Sequence, residues 1–243
     1  MSRRDAALEL LGIERWQVRG SKPAPAVARA PAPAPAPAKV PAIEAPPQAP
    51  AGDSWDRLIA DVSGCTACAL HATRTQAVFG VGNRAAEWLV IGEAPGAEED
   101  RRGEPFVGRA GELLNEMLRA IGLPRDQVFI ANVLKSRPPN NRDPRPEEVA
   151  ACLPFLLRQI ALIRPRILLV VGRIAAQNLL QTDLPIGRLR GEVHSFGPGR
   201  TPLVVTYHPA YLLRSPGEKR KTWEDLKLAR RVYRELPPRA AEA

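Results

Sequence analysis

The side chains that could do chemistry are concentrated in a few short stretches of this 243-residue sequence. Residues 92–114, GEAPGAEEDRRGEPFVGRAGELL, combine a glycine-rich turn with several carboxylates. Glycines of this kind surround phosphate in nucleotide-binding loops, but the stretch has no P-loop lysine and its carboxylates would repel phosphate. GVGNRA, at 80–85, precedes its predicted strand instead of following it. Neither stretch is typical of a nucleotide-cofactor site.

The cysteines form a second candidate group. Cys65 and Cys68 make a C-x-x-C pair in GCTACAL, and Cys152 is the only other cysteine in the sequence. Three cysteines, an odd number, argue against a disulfide framework. The C-x-x-C pair therefore indicates metal ligation in a reducing compartment.

The elements that must position these residues follow from the hydrophobic pattern. Apolar runs predict buried strands, and the stretches between them predict helices. The predicted strands are 87–92, 127–134, 166–172 and 202–207, and the predicted helices are 109–121, 145–163, 172–181 and 218–235. This alternation predicts an α/β protein, a three-layer sandwich with a central, mainly parallel four-stranded sheet flanked by helices.

Three polar segments come directly after predicted strands: GEAPG at 92–96, NVLKSRPPNNR at 132–142 and TYHPAYLLR at 206–214. Ligands of open α/β sheets bind beyond the carboxyl ends of the strands. We therefore expect these three segments to line one crevice.

The N-terminal fifth of the chain has a different composition. Residues 21–50 contain 10 Pro and 11 Ala, so the 21–52 region is predicted to be a disordered, semi-rigid linker. Residues 1–20 predict a short helical segment, either a docking peptide for a protein partner or a frayed end. Residues 53–243 are the predicted catalytic domain.

Charge and hydropathy limit the partners. The 35 Lys and Arg against 26 Asp and Glu give a net charge of +9, which favours a polyanionic partner such as nucleic acid. No apolar run is long enough for a membrane span, and the N-terminus lacks the order of a signal peptide. A cytoplasmic protein without membrane attachment is predicted.

The motifs together resemble the bacterial and archaeal iron-sulfur uracil-DNA glycosylases, family 4 of that superfamily. GEAPGAEEDRRGEPFVGRAGELL, NVLKSRPPNNRDP and HPAYLLR occur in the family's order, with the C-x-x-C upstream and Cys152 between the last two. The resemblance covers roughly residues 53–235. It implies a monomeric enzyme that flips uracil out of DNA and hydrolyses its N-glycosidic bond.

The resemblance also implies roles for the site residues. Phe106 would stack on the flipped base, with Pro105 and Gly108 holding its turn, and Asn132 would read the uracil edge through N3–H and O4. His208 would stabilise the uracil anion near O2, and Glu93 would position water or stabilise an oxocarbenium ion. Gly92 and Ala94 would border the base, Ala94 standing where another family has a water-activating Asp. Glu99 and Asp100 match the family's ED pair, either with a direct role or as a cap.

DNA contacts are expected from the HPAYLLR stretch and the basic loops. Leu212 or Leu213 would wedge into the base stack while Arg214 contacts a phosphate. Arg137 and Arg142 are further candidates for phosphate contacts.

The metal site departs from the family pattern. The resemblance implies a 4Fe-4S cluster on four cysteines, but the third position reads KSRPP, with Ser136 in place of Cys. Cys65, Cys68 and Cys152 remain. Three outcomes stay open: a cluster with an oxygen or solvent ligand, a three-iron cluster, or no cluster; the first is favoured, as a labile structural group.

A function of another class also stays open. A non-enzymatic or redox-responsive nucleic-acid-binding relative would keep the fold and lose turnover. The joint presence of Glu93, Phe106, Asn132 and His208 favours the enzyme.

Overall fold

The computed structural model describes residues 52–239. The predicted helical segment 1–20 lies outside the described residues, and so does the predicted linker 21–52 apart from Gly52.

A six-stranded mixed sheet forms the centre of the described region. Its strands are β1 (Val81–Gly82), β2 (Trp88–Gly92), β3 (Phe129–Asn132), β4 (Ile167–Val171), β5 (Val193–Phe196) and β6 (Thr201–Thr206). Their order across the sheet is β1-β3-β2-β4-β6-β5. Neighbouring strands in the run β3-β2-β4-β6 are parallel, whereas β1 and β5 pair antiparallel at the two edges.

The α/β class is therefore confirmed, and the prediction of a four-stranded sheet was two strands short. Both missed strands lie at edges, where a continuous apolar run is not needed. β1 has only two residues, and β5 has apolar residues only at its two ends, with only Phe196 buried. Neither gives the buried-strand pattern that identifies the central strands.

Helices cover both faces of the sheet. They are α1 (Trp55–Ser63), α2 (Ala97–Arg102), α3 (Arg109–Ala120), α4 (Pro146–Ile163), α5 (Arg173–Leu180), α6 (Ile186–Leu189), α7 (Pro209–Arg214) and α8 (Lys219–Glu235). The four predicted helices correspond to α3, α4, α5 and α8. The short helices α2, α6 and α7 were not predicted, because none of them has room for two full turns of apolar periodicity. The nine-residue helix α1 was also missed.

Two apolar cores result from the alternation of side chains along the strands. Leu89 and Ile91 of β2 point into one core, which includes α4 and α5. Trp88 and Val90 point into the other, which includes α3 and α8. The strands between them are buried on both faces, which fixes the register that aligns their carboxyl ends.

That register determines where the polar segments lie. Gly92, the last residue of β2, pairs with Asn132, the last residue of β3. Val171 at the end of β4 pairs with Thr206 at the end of β6, two residues before His208. The segments that follow these strands therefore begin at one edge of the sheet. Across residues 52–239, none of the helices has the length and apolarity to cross a membrane.

Candidate active site

A cavity of about 410 Å³ opens at this edge of the sheet. It brings together most of the predicted site residues: Glu93, Ala94, Phe106, Asn132, Arg142, His208 and Arg214. The other lining residues are Pro95, Gly96, Glu99, Ala110, Pro138, Asn141, Ala210 and Tyr211. Arg137, Leu212 and Leu213 are not among them. The expected crevice between the three polar segments is present.

Asn132 presents an unpaired acceptor to this cavity. Its side chain is 2% exposed, and Oδ1 has no hydrogen-bond partner among residues 52–239. A buried acceptor left unpaired costs about 1–3 kcal/mol, and Asn132 Oδ1 is therefore available to accept a hydrogen bond from a bound molecule. The backbone beneath it is held by Lys135, whose Nζ donates to the Asn132 carbonyl at 2.8 Å and to Gln159 Oε1 at 2.6 Å.

Gly92 allows this asparagine to approach the aromatic ring. A Cβ at Gly92 would lie 2.4 Å from Asn132 Oδ1 and 2.6 Å from Phe106 Cζ, both closer than real contacts allow. Only a residue without a side chain fits between them. Gly92 therefore shapes this part of the site by leaving space for two other residues.

Phe106 is held in a strained conformation. It has a φ of 55°, in the left-handed region that bulky residues rarely adopt, and its side chain is 6% exposed. Glu99 accepts hydrogen bonds at Oε1 from the backbone of Val107 at 3.0 Å and Gly108 at 3.1 Å. Gly111 completes the turn, since a Cβ there would lie 1.8 Å from the Phe106 carbonyl oxygen.

The other side of the Phe106 loop is clamped by Arg125. Its Nη2 donates to the Pro105 carbonyl at 2.6 Å and to Glu104 Oε1 at 2.9 Å. Strain of this kind persists only where the surroundings over-determine it, and it is typical of binding sites. The turn predicted around Phe106 thus depends on Glu99 and Arg125 as well as on Pro105 and Gly108.

His208, at the N-cap of α7, lines the cavity with a neutral imidazole that can donate a hydrogen bond. Its Nδ1 accepts a hydrogen bond from the Ala210 backbone at 3.2 Å, so the proton of the neutral ring is on Nε2. Burial, followed by the positive charge of Arg214, lowers the pKa of His208 to about 4. The imidazole is therefore uncharged near neutral pH. Gly172 packs against it, because a Cβ there would lie 3.3 Å from the His208 ring.

Glu93 has an unusual protonation equilibrium. Burial raises the pKa of Glu93 to about 7, and the negative charge of Asp143 adds to the rise while Arg173 opposes it. Asp143 and Arg173 form an ion pair at 2.9 Å. A carboxylate that titrates near neutral pH in a cavity is typical of a general base or of a group that positions water.

The acidic pair Glu99–Asp100 stabilises loops. Besides holding Val107 and Gly108, Glu99 accepts from the Gly96 backbone at 3.1 Å. Asp100 is 4% exposed and accepts from the backbone and hydroxyl of Thr75 at 2.9 and 2.8 Å. Glu99 also lines the cavity, whereas Asp100 does not.

The predicted DNA-contacting residues have different surroundings. Leu212 is 1% exposed and belongs to the apolar core, so the prediction that it wedges into DNA is wrong. Leu213, by contrast, is 37% exposed.

Arg142 donates to both carboxylate oxygens of the buried Glu148, at 2.8 and 2.5 Å, so it clamps that glutamate. Arg137 donates to Asn141 at 2.7 Å. Arg214 is exposed at the cavity rim.

The cysteine region does not provide the four thiolates of an iron-sulfur cluster. Cys65, Cys68 and Cys152 are free, and burial, the largest effect, raises the pKa of the Cys152 thiol. Ser136 is 2% exposed, and its hydroxyl accepts a hydrogen bond from Arg74 Nη1 at 2.9 Å. Arg74 Nη2 donates to the carbonyls of Ser63 at 2.9 Å and Cys65 at 3.1 Å.

This donor set does not fit the expected cluster. Three thiols and a hydroxyl engaged by a guanidinium are not four thiolates. Within residues 52–239, no group of three or more His, Cys, Asp or Glu side chains has an arrangement that could hold a metal ion.

Several residues that shape the site were not singled out in the sequence. Glu99 is not one of them: it was named with Asp100, and its capping role is indicated by its place three residues after the turn glycine Gly96, the spacing of a capping box. Arg74, Arg125 and Gln159 act on segments distant in the chain, and no local pattern indicates such contacts.

Comparison with known proteins identifies the family. The sequence profile described as "Uracil DNA glycosylase superfamily" matches residues 79–227. The chain is 47% identical to a type-4 uracil-DNA glycosylase of Archaeoglobus fulgidus over 182 residues, 72% of this chain and 91% of that protein. It is 45% identical to the type-4 enzyme of Thermotoga maritima over 172 residues, 70% of this chain and 89% of that one.

A third relative is the type-4 uracil-DNA glycosylase of Sulfurisphaera tokodaii, 42% identical over 187 residues, which is 74% of this chain and 85% of that protein. The chain therefore belongs to the uracil-DNA glycosylase superfamily. Within it, the similarity is to the type-4 uracil-DNA glycosylases.

Proposed function

We propose that this chain is a monofunctional uracil-DNA glycosylase, a hydrolase that releases uracil from DNA and leaves an abasic site for base-excision repair. The observation that carries the proposal is the unpaired Oδ1 of Asn132, buried in a cavity that also contains the Phe106 ring and a neutral His208. An enzyme that cuts an N-glycosidic bond must take the base out of the stack and read its edge inside such a pocket.

Recognition of uracil is assigned to Asn132 and Phe106. Uracil presents an N3–H donor beside the O4 acceptor, which matches an acceptor and a donor of one amide. The unpaired Oδ1 accepts from N3–H, and the amide nitrogen donates to O4. Cytosine has the opposite pattern at these positions, so it leaves the buried acceptor unpaired. The strained Phe106 ring supplies the face against which the base stacks.

Departure of the base is assigned to His208. As the bond between C1′ and N1 breaks, its electron pair moves onto the uracil ring and negative charge develops at O2. A neutral imidazole whose Nε2 carries the proton can donate to that oxygen. A fixed neutral donor of this kind stabilises the developing uracil anion through a hydrogen bond, and the imidazole does not have to change its protonation state beforehand.

Hydrolysis is completed by water at C1′. Glu93, deprotonated in part at neutral pH, orients this water and stabilises the positive charge that develops on the sugar. The water oxygen forms the new bond to C1′ and keeps one hydrogen as the C1′ hydroxyl. Its other proton passes to the Glu93 carboxylate and on to solvent, and the released uracil anion takes up a proton from solvent. Ala94, next in the chain, has no group that could do this.

Uracil-containing DNA is the proposed substrate, and the exposed rim residues are the proposed contacts. Arg214 neutralises a phosphate and Leu213 fills the gap that the flipped base leaves. Arg137 remains a candidate phosphate contact. A monomeric, cytoplasmic enzyme and a protein partner for residues 1–20 remain predictions.

The iron-sulfur cluster implied by the family resemblance is also kept as a prediction only. Three of the expected ligands are present as Cys65, Cys68 and Cys152, but Ser136 binds Arg74 instead of offering a thiolate. No step of the proposed hydrolysis uses a metal.

Release of free uracil tests the proposal directly. The full chain is incubated with an oligonucleotide containing one uracil, and with one containing cytosine at the same position. We expect free uracil and an abasic site from the first only. Binding of both oligonucleotides without release of base would support the alternative, a binding-only relative, which the named enzymes among its relatives do not favour.

A further inference from the structure

A second cavity, strongly cationic, lies along helix α8. It has a volume of about 770 Å³, and its cationic lining residues are Arg190, Arg220, Lys221, Lys227 and Arg231. The two carboxylates that line it are Glu224 and the fully buried Asp225. Arg220, Lys227 and Arg231 share one face of α8, because they are separated by about two helical turns and one helical turn. We call this cavity the α8 cleft.

Part of the positive charge in the α8 cleft is not neutralised within the protein. Arg190 forms a two-point ion pair with Asp225, at 2.7 and 3.0 Å. Lys221 and Lys227 pair with glutamates one turn earlier, each at 2.8 Å. Arg220 and Arg231 are exposed, and neither has an ion pair with any residue of the described 52–239 region. Two guanidinium groups therefore remain free to bind an anion.

A series of side-chain contacts joins the α8 cleft to the candidate active site. Tyr211 lines the active-site cavity and is 37% exposed. Its ring lies 5.0 Å from the ring of Tyr207, and Arg190 lies over Tyr207 with its Cζ 5.6 Å from the ring centroid. Arg190 Nη2 then donates to the Lys221 carbonyl at 2.7 Å. Two aromatic rings and a guanidinium thus connect the two cavities.

This succession of groups fits a single-stranded polyanion. Strand-binding surfaces combine aromatic faces, on which unpaired bases stack, with cations that follow the phosphates. An apolar partner helix fits poorly, because Leu228 is the only large apolar residue that lines the cleft. Duplex DNA offers no free base faces to Tyr211. A single strand therefore matches both the rings and the charge.

We propose that the α8 cleft binds the single-stranded flank of the DNA strand that carries the uracil. From the flipped nucleotide the strand passes Tyr211 and Tyr207, and its phosphates then pair with Arg220 and Arg231. The inference rests on the proposed uracil release and adds a strand preference to it. Substrates with a long unpaired flank on one side should be processed better than minimal ones.

The test uses the full chain with Arg220→Gln and Arg231→Gln combined. Its matched control is Arg57→Gln with Arg119→Gln, two exposed arginines on α1 and α3 that remove the same charge. The substrates are single strands with one uracil. The minimal one has four nucleotides on each side, and in the two long ones either the 5′ flank alone or the 3′ flank alone is extended to twelve. kcat/KM for uracil release is measured on each, with the melting temperature as a check of folding.

Wild-type protein and the control should process one of the two long substrates about tenfold better than the minimal one. The α8 variant should lose most of that advantage and match wild type on the minimal substrate. For the α8 variant on a uracil-free strand of the favoured polarity, the negative slope of log affinity against log salt should become shallower by about 1.4. This is the value for two phosphate contacts on single strands.

An equal loss in the control pair would mean that only net charge matters and would overturn the proposal. So would an unchanged flank advantage in the α8 variant. If no form releases uracil from any substrate, the proposed function fails, and an unchanged salt slope then rejects the cleft separately.

Discussion

The rings of Phe106 and His208 stack with centroids 5.5 Å apart and planes inclined by 30°. Phe106 belongs to the loop between α2 and α3, whereas His208 follows β6, so the contact joins two segments that the sheet brings together. In the proposed reaction, one residue offers a face to the base and the other a donor to its edge. If so, recognition of the base and stabilisation of its charge depend on the same contact.

Truncation of the aromatic ring tests the first half of this relationship. Phe106→Ala should weaken productive base binding by about 1–3 kcal/mol, the usual range for one stacked base, or roughly 5- to 150-fold in kcat/KM. Phe106→Tyr, which keeps the ring, should retain most of the activity. Steady-state uracil release measures both. Equal losses in the two variants would show that the ring face is not used.

Asn132→Asp tests base reading. The substitution removes the donor for O4 and places a carboxylate beside the uracil ring, so single-turnover excision should fall by about 100-fold or more. Affinity for a strand with an abasic site should change little, because that ligand has no base to read. A melting temperature close to wild type would show that the loss is not one of folding. Excision at the wild-type rate by this variant would show that Asn132 does not read the base.

The positions of Asn132 and His208 were readable from the sequence for a simple reason. Each directly follows an apolar run that can only be a buried strand, and parallel strands end at one edge of the sheet. The same logic placed Glu93 after β2. The sequence therefore indicated which residues meet, although the distances between them were not accessible.

Other features were beyond sequence reasoning because they depend on contacts between distant segments. Leu212 and Leu213 look equivalent in HPAYLLR, but the turn of α7 buries the first and exposes the second. The clamp of Arg142 on Glu148 and that of Arg125 on Pro105 depend on packing that no local pattern encodes. The edge strands β1 and β5 were missed because half-exposed strands lack an apolar run.

The pH dependence of excision should follow Glu93. Its pKa is raised to about 7, so the carboxylate is lost as pH falls below that value, and the rate should drop by about tenfold per pH unit. His208 has its pKa lowered to about 4 and should add no step near 6.5. Single-turnover rates from pH 5.5 to 9 would show one rising limb.

The neighbours of Glu93 provide the controls for this pH profile. Asp143 raises the pKa and Arg173 lowers it, so Asp143→Asn should move the limb to lower pH and Arg173→Gln to higher pH. Glu93→Gln should remove the limb together with most activity. A limb that stays in place in all three variants would belong to another group.

The same pKa shift has a consequence for stability. Because the folded pKa of Glu93 is above its ordinary value of 4.5, its favourable contribution is complete below that value and lost as pH rises through about 7. Glu93→Gln should therefore melt at a higher temperature than wild type at pH 8, and the difference should shrink by pH 5.

Gly92→Ala tests the close approach at the end of β2. The added methyl would lie 2.4 Å from Asn132 Oδ1 and 2.6 Å from Phe106, so the pocket residues must move apart. We expect a stability loss of about 1–3 kcal/mol, typical of overpacking, and a larger fall in excision. Gly187→Ala is the control, since its Cβ would meet nothing within 4 Å. Denaturant unfolding and uracil release of both variants decide the matter.

The last prediction concerns Ser136, where the chain departs from its family. Its hydroxyl is held by Arg74, which also binds the carbonyls of Ser63 and Cys65. Ser136→Cys places a fourth thiol where the family resemblance expects one, so anaerobically prepared protein should contain about four irons and absorb more strongly near 400 nm. Wild type should contain less iron and lose it faster in air. The melting temperature should follow iron content, because a group that binds only the folded state adds its binding free energy to folding.

Ser195→Cys, which places a thiol on exposed strand β5, is the control for the Ser136 variant and should not raise the iron content. Uracil release should change less than stability, since Asn132, Phe106 and His208 line a separate cavity. Iron content and melting temperature that are the same in wild type and Ser136→Cys would mean that this position does not ligate a cluster, and that the hydrogen bonds of Arg74 are what holds the loop.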